Sequence, residues 1–367
     1  AKFFFDQDRK KTLASRVDGL AKVVYHNKLG TQGERTDRVR AIAKGITALL
    51  PQAKDTAFVQ AVDAAAQLAK TDLLTDMVGE FPELQGIMGG YYARHDGLSE
   101  DVAQAIEDHY KPRFAGDELP RNQVGVAVAL ADKLETLVGL FSIGEKPTGD
   151  KDPFALRRQA LGILRMLIEG QLAISFSELI ETALAQFNVE GSSKTDHINA
   201  ITEFCFDRLS VNLREQGASA QEVEAVLALN PSLLSEIPKR LEAVRAFSTL
   251  DEAPALAAAN KRVSNILKKI EGHVEATINQ GLLQEAAEKE LAATLAKIKP
   301  EADALFEKGD YTNALKALAA LKGPVDNFFD NVMVNAEDPV LKANRLGLLA
   351  TLHAAMNRVA DLSKLAA

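Results

Sequence analysis

Apolar residues recur at three- and four-residue spacing through almost the whole chain, and nowhere does the sequence alternate as a half-buried strand must. Leu13, Val17, Leu20, Ala21 and Val24 trace one face of a first helix. Val39, Ile42, Ala43, Ile46, Leu49 and Leu50 trace a second, stopped by Pro51. The pattern continues over 56–78 and 83–93, with a break at Phe81-Pro82-Glu83, and Ser99 is placed to cap a helix over 100–109. Asn122 opens a long apolar helix from Val124 to Leu140. Residues 145–153 form the clearest loop of the first half. Asp152 then caps a helix with Pro153 at its first position, running to about Glu169. Beyond a second loop, 190–194, helices are expected near 195–216, 219–228, 232–247, 252–270, 281–298, 300–308 and 311–321, with a last one over 338–363.

With 23 Gly and 12 Pro in 367 residues, the chain lacks the turns an all-β protein needs. The reading is all-α. The length suits two domains. The boundary is expected in the 171–195 helix and loop, between a helical domain over 1–170 and a second over 196–367. A single cysteine, Cys205, excludes disulfides and paired-cysteine metal motifs, and its apolar neighbours read as a buried, inert thiol. That usage fits a reducing cytoplasm. No apolar run approaches the ~18 residues of a membrane span. The opening Ala1-Lys2-Phe3-Phe4-Phe5-Asp6 has no initiator Met and no leader signature, and reads as a piece of a longer chain.

Net charge is −8, but it is unevenly distributed. Residues 1–44 carry +6, residues 45–136 carry −8 and residues 239–273 carry +3. A locally basic face holds a polyanion even on an acidic protein. No phosphate-binding glycine loop, HExxH or GxSxG motif is present. His95-Asp96 with Asp132 suggests a metal-dependent phosphohydrolase of the HD type, but His95-Asp96 precedes Gly97 and reads as a helix end and turn. Residues 300–321 resemble half of a tetratricopeptide unit; a single copy reads as an ordinary helical hairpin.

Two stretches are more specific. Lys70-Thr71-Asp72-Leu73-Leu74-Thr75-Asp76-Met77-Val78-Gly79-Glu80-Phe81-Pro82-Glu83-Leu84-Gln85-Gly86-Ile87-Met88-Gly89 and Lys151-Asp152-Pro153-Phe154-Ala155-Leu156-Arg157-Arg158-Gln159-Ala160 resemble the β subunit of the bacterial two-subunit glycyl-tRNA synthetases. Arg9-Lys10-Lys11, Ala131–Thr136 and Pro324–Val334 agree, in order. The resemblance implies the C-terminal half of that subunit: an HD-like helical domain, then a helical-bundle anticodon-binding domain. It implies a tRNA-binding part of a glycine–tRNA ligase, with tRNA(Gly) and an α subunit as partners, α2β2 assembly, and ATP and Mg used by the α subunit. This piece itself would have no cofactor, no metal and no catalytic residue. The resemblance also places the HD metal positions near Arg35-Thr36-Asp37-Arg38 and Lys70-Thr71-Asp72, where no His stands, and leaves Asp132 alone in its place. A divergent HD-type phosphohydrolase is the alternative.

RNA phosphates are held by Lys and Arg, and unpaired loop bases are read by stacking and edge hydrogen bonds. The 258–269 stretch best combines such residues, with Asn260, Lys261, Arg262, Asn265 and Lys268 as the expected anticodon readers on an exposed face. Arg208 and Arg214 are a second candidate, and Arg345 beside Asn344 a third. Phe328 and Phe329 read as core. In the first domain, Arg157, Arg158 and Arg165, with the Lys10 and Lys11 cluster, would hold the acceptor side or else pair with the acidic 45–136 stretch.

Overall fold

The apolar helix expected after Asn122 is the axis of the first half. It runs Gln123–Ser142, and the Asn122 side chain accepts from the Gly125 amide at 2.7 Å, closing its first turn. Seventeen of its twenty residues are buried. A helix apolar around its whole circumference has to be surrounded. Here the helices Gln32–Leu49, Thr56–Leu68, Glu100–Asp108, Leu156–Glu169 and Phe176–Leu184 pack around it. Gly139 allows close approach: a Cβ there would sit 2.7 Å from the Phe187 ring.

The computed structural model describes residues 1–367. Seventeen α-helices are joined by short 3₁₀ turns, and the one sheet is a two-stranded antiparallel pair, Val24–His26 with Gly30–Thr31. The chain is all-α, as the periodicity predicts. No helix is long and apolar enough to cross a membrane.

Several local expectations are corrected. The first apolar face is not an α-helix. Ala14–Lys22 is a run of 3₁₀ turns leading into the first strand, and Val24 is exposed. Leu13 and Leu20 are still buried, but Arg16 reaches the carbonyls of Asp8 and Leu74, which fixes a tighter path. The 56–78 helix stops at Leu68. Thr71 and Thr75 turn their hydroxyls back on the carbonyls of Leu68 and Asp72, both at 2.6 Å, and competition of this kind ends helices. Asp152 does cap a helix, through the Leu156 and Arg157 amides at 2.8 and 3.0 Å. That helix begins at Leu156, three residues beyond Pro153, after Ala155 in the left-handed region. The expected helices over 281–298 and 300–308 are one, Ala286–Glu307, with Pro300 inside; Ile298 and Ala302 stay buried across it. The last long helix ends at Met356, not 363.

Chain contacts divide the molecule into two compact units: residues 1–209 with 232–235, and 210–231 with 236–367. The division falls inside the helix Ser192–Glu215, beyond the 171–195 segment expected from loop composition. The sequence shows the loop but not that Phe204 and Phe206 go on packing on Phe141 and Phe176 of the first unit. Cys205 is fully buried beside them, and burial pushes its thiol up.

In the second unit, residues 286–317 form a helical hairpin turned at Gly309. An extended strap after Lys268 crosses the helix Pro339–Met356. Asn344 holds it by a reciprocal pair with the Asn279 backbone at 2.8 and 3.1 Å. Gly347 lets it pass, since a Cβ would lie 2.1 Å from the Thr277 carbonyl oxygen.

Candidate nucleic-acid interface

The helix Ala253–Lys268 buries Leu256, Ala257 and Val263 against the second unit. That orientation sends Lys261, Arg262, Asn265, Lys268 and Lys269 into solvent. None of these four cations takes part in an ion pair. The pairs of this unit use Arg240, Arg245, Lys299, Lys322, Arg345, Arg358 and Lys364 instead. Cations without internal counter-charge keep their field for an external polyanion. Lys269 belongs to this strip although the sequence reading passed over it; its position one residue past the helix end was the available signal.

Asn260 is a correction. It is fully buried, because it shares a face with Leu256 and Val263. Its amide and that of Asn357 exchange hydrogen bonds at 2.7 and 2.9 Å. It therefore joins the helix to the end of the last helix and offers nothing to a base. Ser264, on the same side, bonds His353 at 3.0 Å. Arg345 is also corrected. It is buried, with Nη2 2.9 Å from Glu288 Oε1 and Nη1 donating to the Met333 carbonyl. Its neighbour Asn344 holds the strap. Phe328 is core, as expected; Phe329 is only partly covered.

Arg208 is half-buried in the first unit, while Arg214 is exposed in the second. In the first unit Lys10 and Lys11 are exposed, Lys10 touching Gln7. Arg158 is exposed; Arg157 donates to the Gly149 carbonyl. Arg165 is engaged by Glu169 at 2.6 Å and by the Asp117 carbonyl. The acidic 45–136 stretch finds much of its counter-charge within itself, as in Arg94–Glu100, Arg113–Asp117 and Arg121–Asp108.

The three segments assigned to the metal positions do converge. Asp132 Oδ1 lies 2.9 Å from Arg35 Nη1 and 3.3 Å from Lys70 Nζ. Arg35 Nε also stands 2.8 Å from Glu135 Oε2, an ion pair without hydrogen-bond alignment, and Arg38 bonds Glu135 at 3.0 Å. Burial opposes the charge on Asp132, but Arg35 and Lys70 outweigh it and hold the carboxyl well below the usual range. Burial brings Lys70 down to about 8, against the pull of Asp132. Asp72 does not face this pair with its bonding oxygen. Its Oδ2 accepts from the Gly86 and Gly89 amides at 2.6 and 3.0 Å, at the start of the helix Ile87–His95, and its Oδ1 has no partner. Burial raises it to about 6. His95 and Asp96 are elsewhere, at the end of that helix, where Asp96 accepts from the Leu13 amide. A guanidinium and an ammonium thus sit where a cation would otherwise neutralise Asp132.

Residues 1–228 match the family model described as glycyl-tRNA synthetase beta subunit, and residues 256–364 match the DALR anticodon binding domain. Along its entire length the chain is 66% identical to a glycine–tRNA ligase beta subunit of Delftia acidovorans, 66% to that of Methylobacillus flagellatus and 68% to that of a Janthinobacterium species. It covers 51% of each, so the chain spans about half the length of the curated relatives it matches.

Proposed function

Since the chain belongs to the glycyl-tRNA synthetase beta subunit family, we propose that it is the tRNA-holding part of a two-subunit glycine–tRNA ligase. The second unit grips the anticodon arm of tRNA(Gly). The first supports the acceptor side with Arg158, Lys10 and Lys11, so that the 3′ end reaches a glycine- and ATP-using, Mg-dependent site on a separate α subunit. The assembly is α2β2 and cytoplasmic, and this part performs no chemistry.

One observation carries the reading. The anticodon-binding-domain match contains the 253–268 helix, whose Lys261, Arg262 and Lys268 are exposed and free of ion pairs. A structural helix surface in an acidic protein would pair such cations with its abundant carboxylates. The phosphohydrolase alternative requires Asp132 to hold a metal ion, and Arg35 and Lys70 already hold it.

The experiment is a filter-binding titration of tRNA(Gly) at two salt concentrations. Each phosphate contact steepens the fall of affinity with salt by about one unit on the log–log plot. A steep fall supports the proposal; absence of binding at low salt contradicts it.

A further inference from the structure

Three arginines of the second unit lie over aromatic rings, and two of them have carboxylate partners. Arg240 is over Phe306 and Tyr311 and pairs with Glu236. Arg358 is over Phe306 and pairs with Asp303 and Glu307. The third is Arg262, its guanidinium carbon 4.2 Å from the Phe329 ring centroid, with no carboxylate partner and in full contact with solvent.

The ring beneath it is fixed. Phe329 meets the fully buried Phe328 edge-on, with centroids 5.5 Å apart and planes at 80°. A guanidinium laid over a fixed ring presents its outer planar face to solvent. Phosphate binding needs charge, not such a platform, and Lys261 and Lys268 supply charge without one. Unpaired RNA bases stack on guanidinium planes and aromatic faces. Asn265 lies three residues on, one turn along the same exposed face, with its amide free of hydrogen bonds. It offers the donor and the acceptor that a base edge requires.

We infer that the Arg262–Phe329 stack seats one unpaired base of the anticodon loop, with Asn265 reading that base's edge. The base lies on the outer face of Arg262, and Phe329 is the positioning residue that keeps the guanidinium flat. The inference rests on the tRNA-binding reading above and adds a base contact to it.

The test uses the full-length protein and tRNA(Gly) carrying 2-aminopurine at one anticodon-loop position at a time. With the parent protein, emission from one position should fall on binding as that base stacks. Arg262→Lys keeps the charge and removes the plane. It should abolish the fall and weaken binding roughly tenfold, while leaving the salt slope unchanged. Phe329→Leu should reduce the same signal, with thermal melting as the folding control. The inference is overturned if the parent binds and no position is quenched, or if Arg262→Lys retains both quench and affinity. Failure of the parent to bind tRNA(Gly) at low salt would instead overturn the tRNA-binding reading, and the stack with it.

Discussion

Residues 1–44 carry a net charge of +6 and residues 239–273 only +3, yet the second stretch presents the freer cations. In the first, Arg35 and Arg38 turn inward to Asp132 and Glu135, Arg40 pairs with Asp63, and Arg16 caps carbonyls of Asp8 and Leu74. In the second, Lys261, Arg262, Lys268 and Lys269 face water without a partner. The difference teaches that a net charge over a stretch of sequence does not report a surface field. What decides is whether the fold brings carboxylates from distant segments onto those cations; Asp132 and Glu135 lie about a hundred residues from Arg35 and Arg38.

The comparison breaks most visibly at Arg35. Arg35→Met leaves Asp132 with Lys70 alone and Glu135 with Arg38 alone in a buried site. Removing one partner of a buried ion pair costs about 3–5 kcal/mol. We expect a loss of that order in denaturant unfolding of the first unit; a change below about 1 kcal/mol would mean the cluster is not structural.

Asp72 gives the next largest effect, and its sign is definite. Its folded pKa of about 6 lies above the model value of 3.8, because burial disfavours the carboxylate. The folded state therefore binds the proton more tightly. The stabilisation is complete below pH 3.8 and is lost as pH rises through about 6. Relative to Asp72→Asn, the parent should gain stability as pH falls from about 6 to 4, by at most about 1.4 kcal/mol per pH unit. Parallel stability–pH curves for the two proteins would contradict this.

Asn260 sharpens the contrast within a single helix. Asn260→Ala breaks the amide pair with Asn357 and leaves a buried amide unsatisfied, at a cost of about 1–3 kcal/mol. Affinity for tRNA, measured where the variant is fully folded, should stay at the parent level. A loss of affinity without a loss of stability would return Asn260 to the RNA surface.

How much of this was legible beforehand follows from which forces act locally. The Gln123–Ser142 core helix, its Asn122 cap and the Ser99 cap of the Glu100–Asp108 helix are short-range features, and the sequence shows them directly. The 3₁₀ path of Ala14–Lys22 was not legible, since Leu13 and Leu20 fit either geometry and the deciding bonds come from Arg16 to distant carbonyls. The candidate RNA surface was half legible. Residue type singled out the 258–269 stretch, but type alone cannot separate Asn260 from Asn265. They sit on opposite sides of one helix, and the inward side is set by Leu256 and Val263 meeting the last helix. Arg345 was misplaced for the same reason: its buried partner Glu288 is 57 residues away.

The central claim is that the unpaired cations of the 253–268 helix, and not the paired ones of the first unit, meet RNA phosphates. The most direct measurement is the salt dependence of tRNA(Gly) binding for the triple variant Lys261→Ala, Arg262→Ala, Lys268→Ala beside the parent. These side chains are exposed, so unfolding stability should change by no more than about 0.5 kcal/mol per site. The slope of log affinity against log salt should shrink by about three units, one for each lost phosphate contact. A triple variant that melts like the parent and keeps the parent's slope would contradict the account.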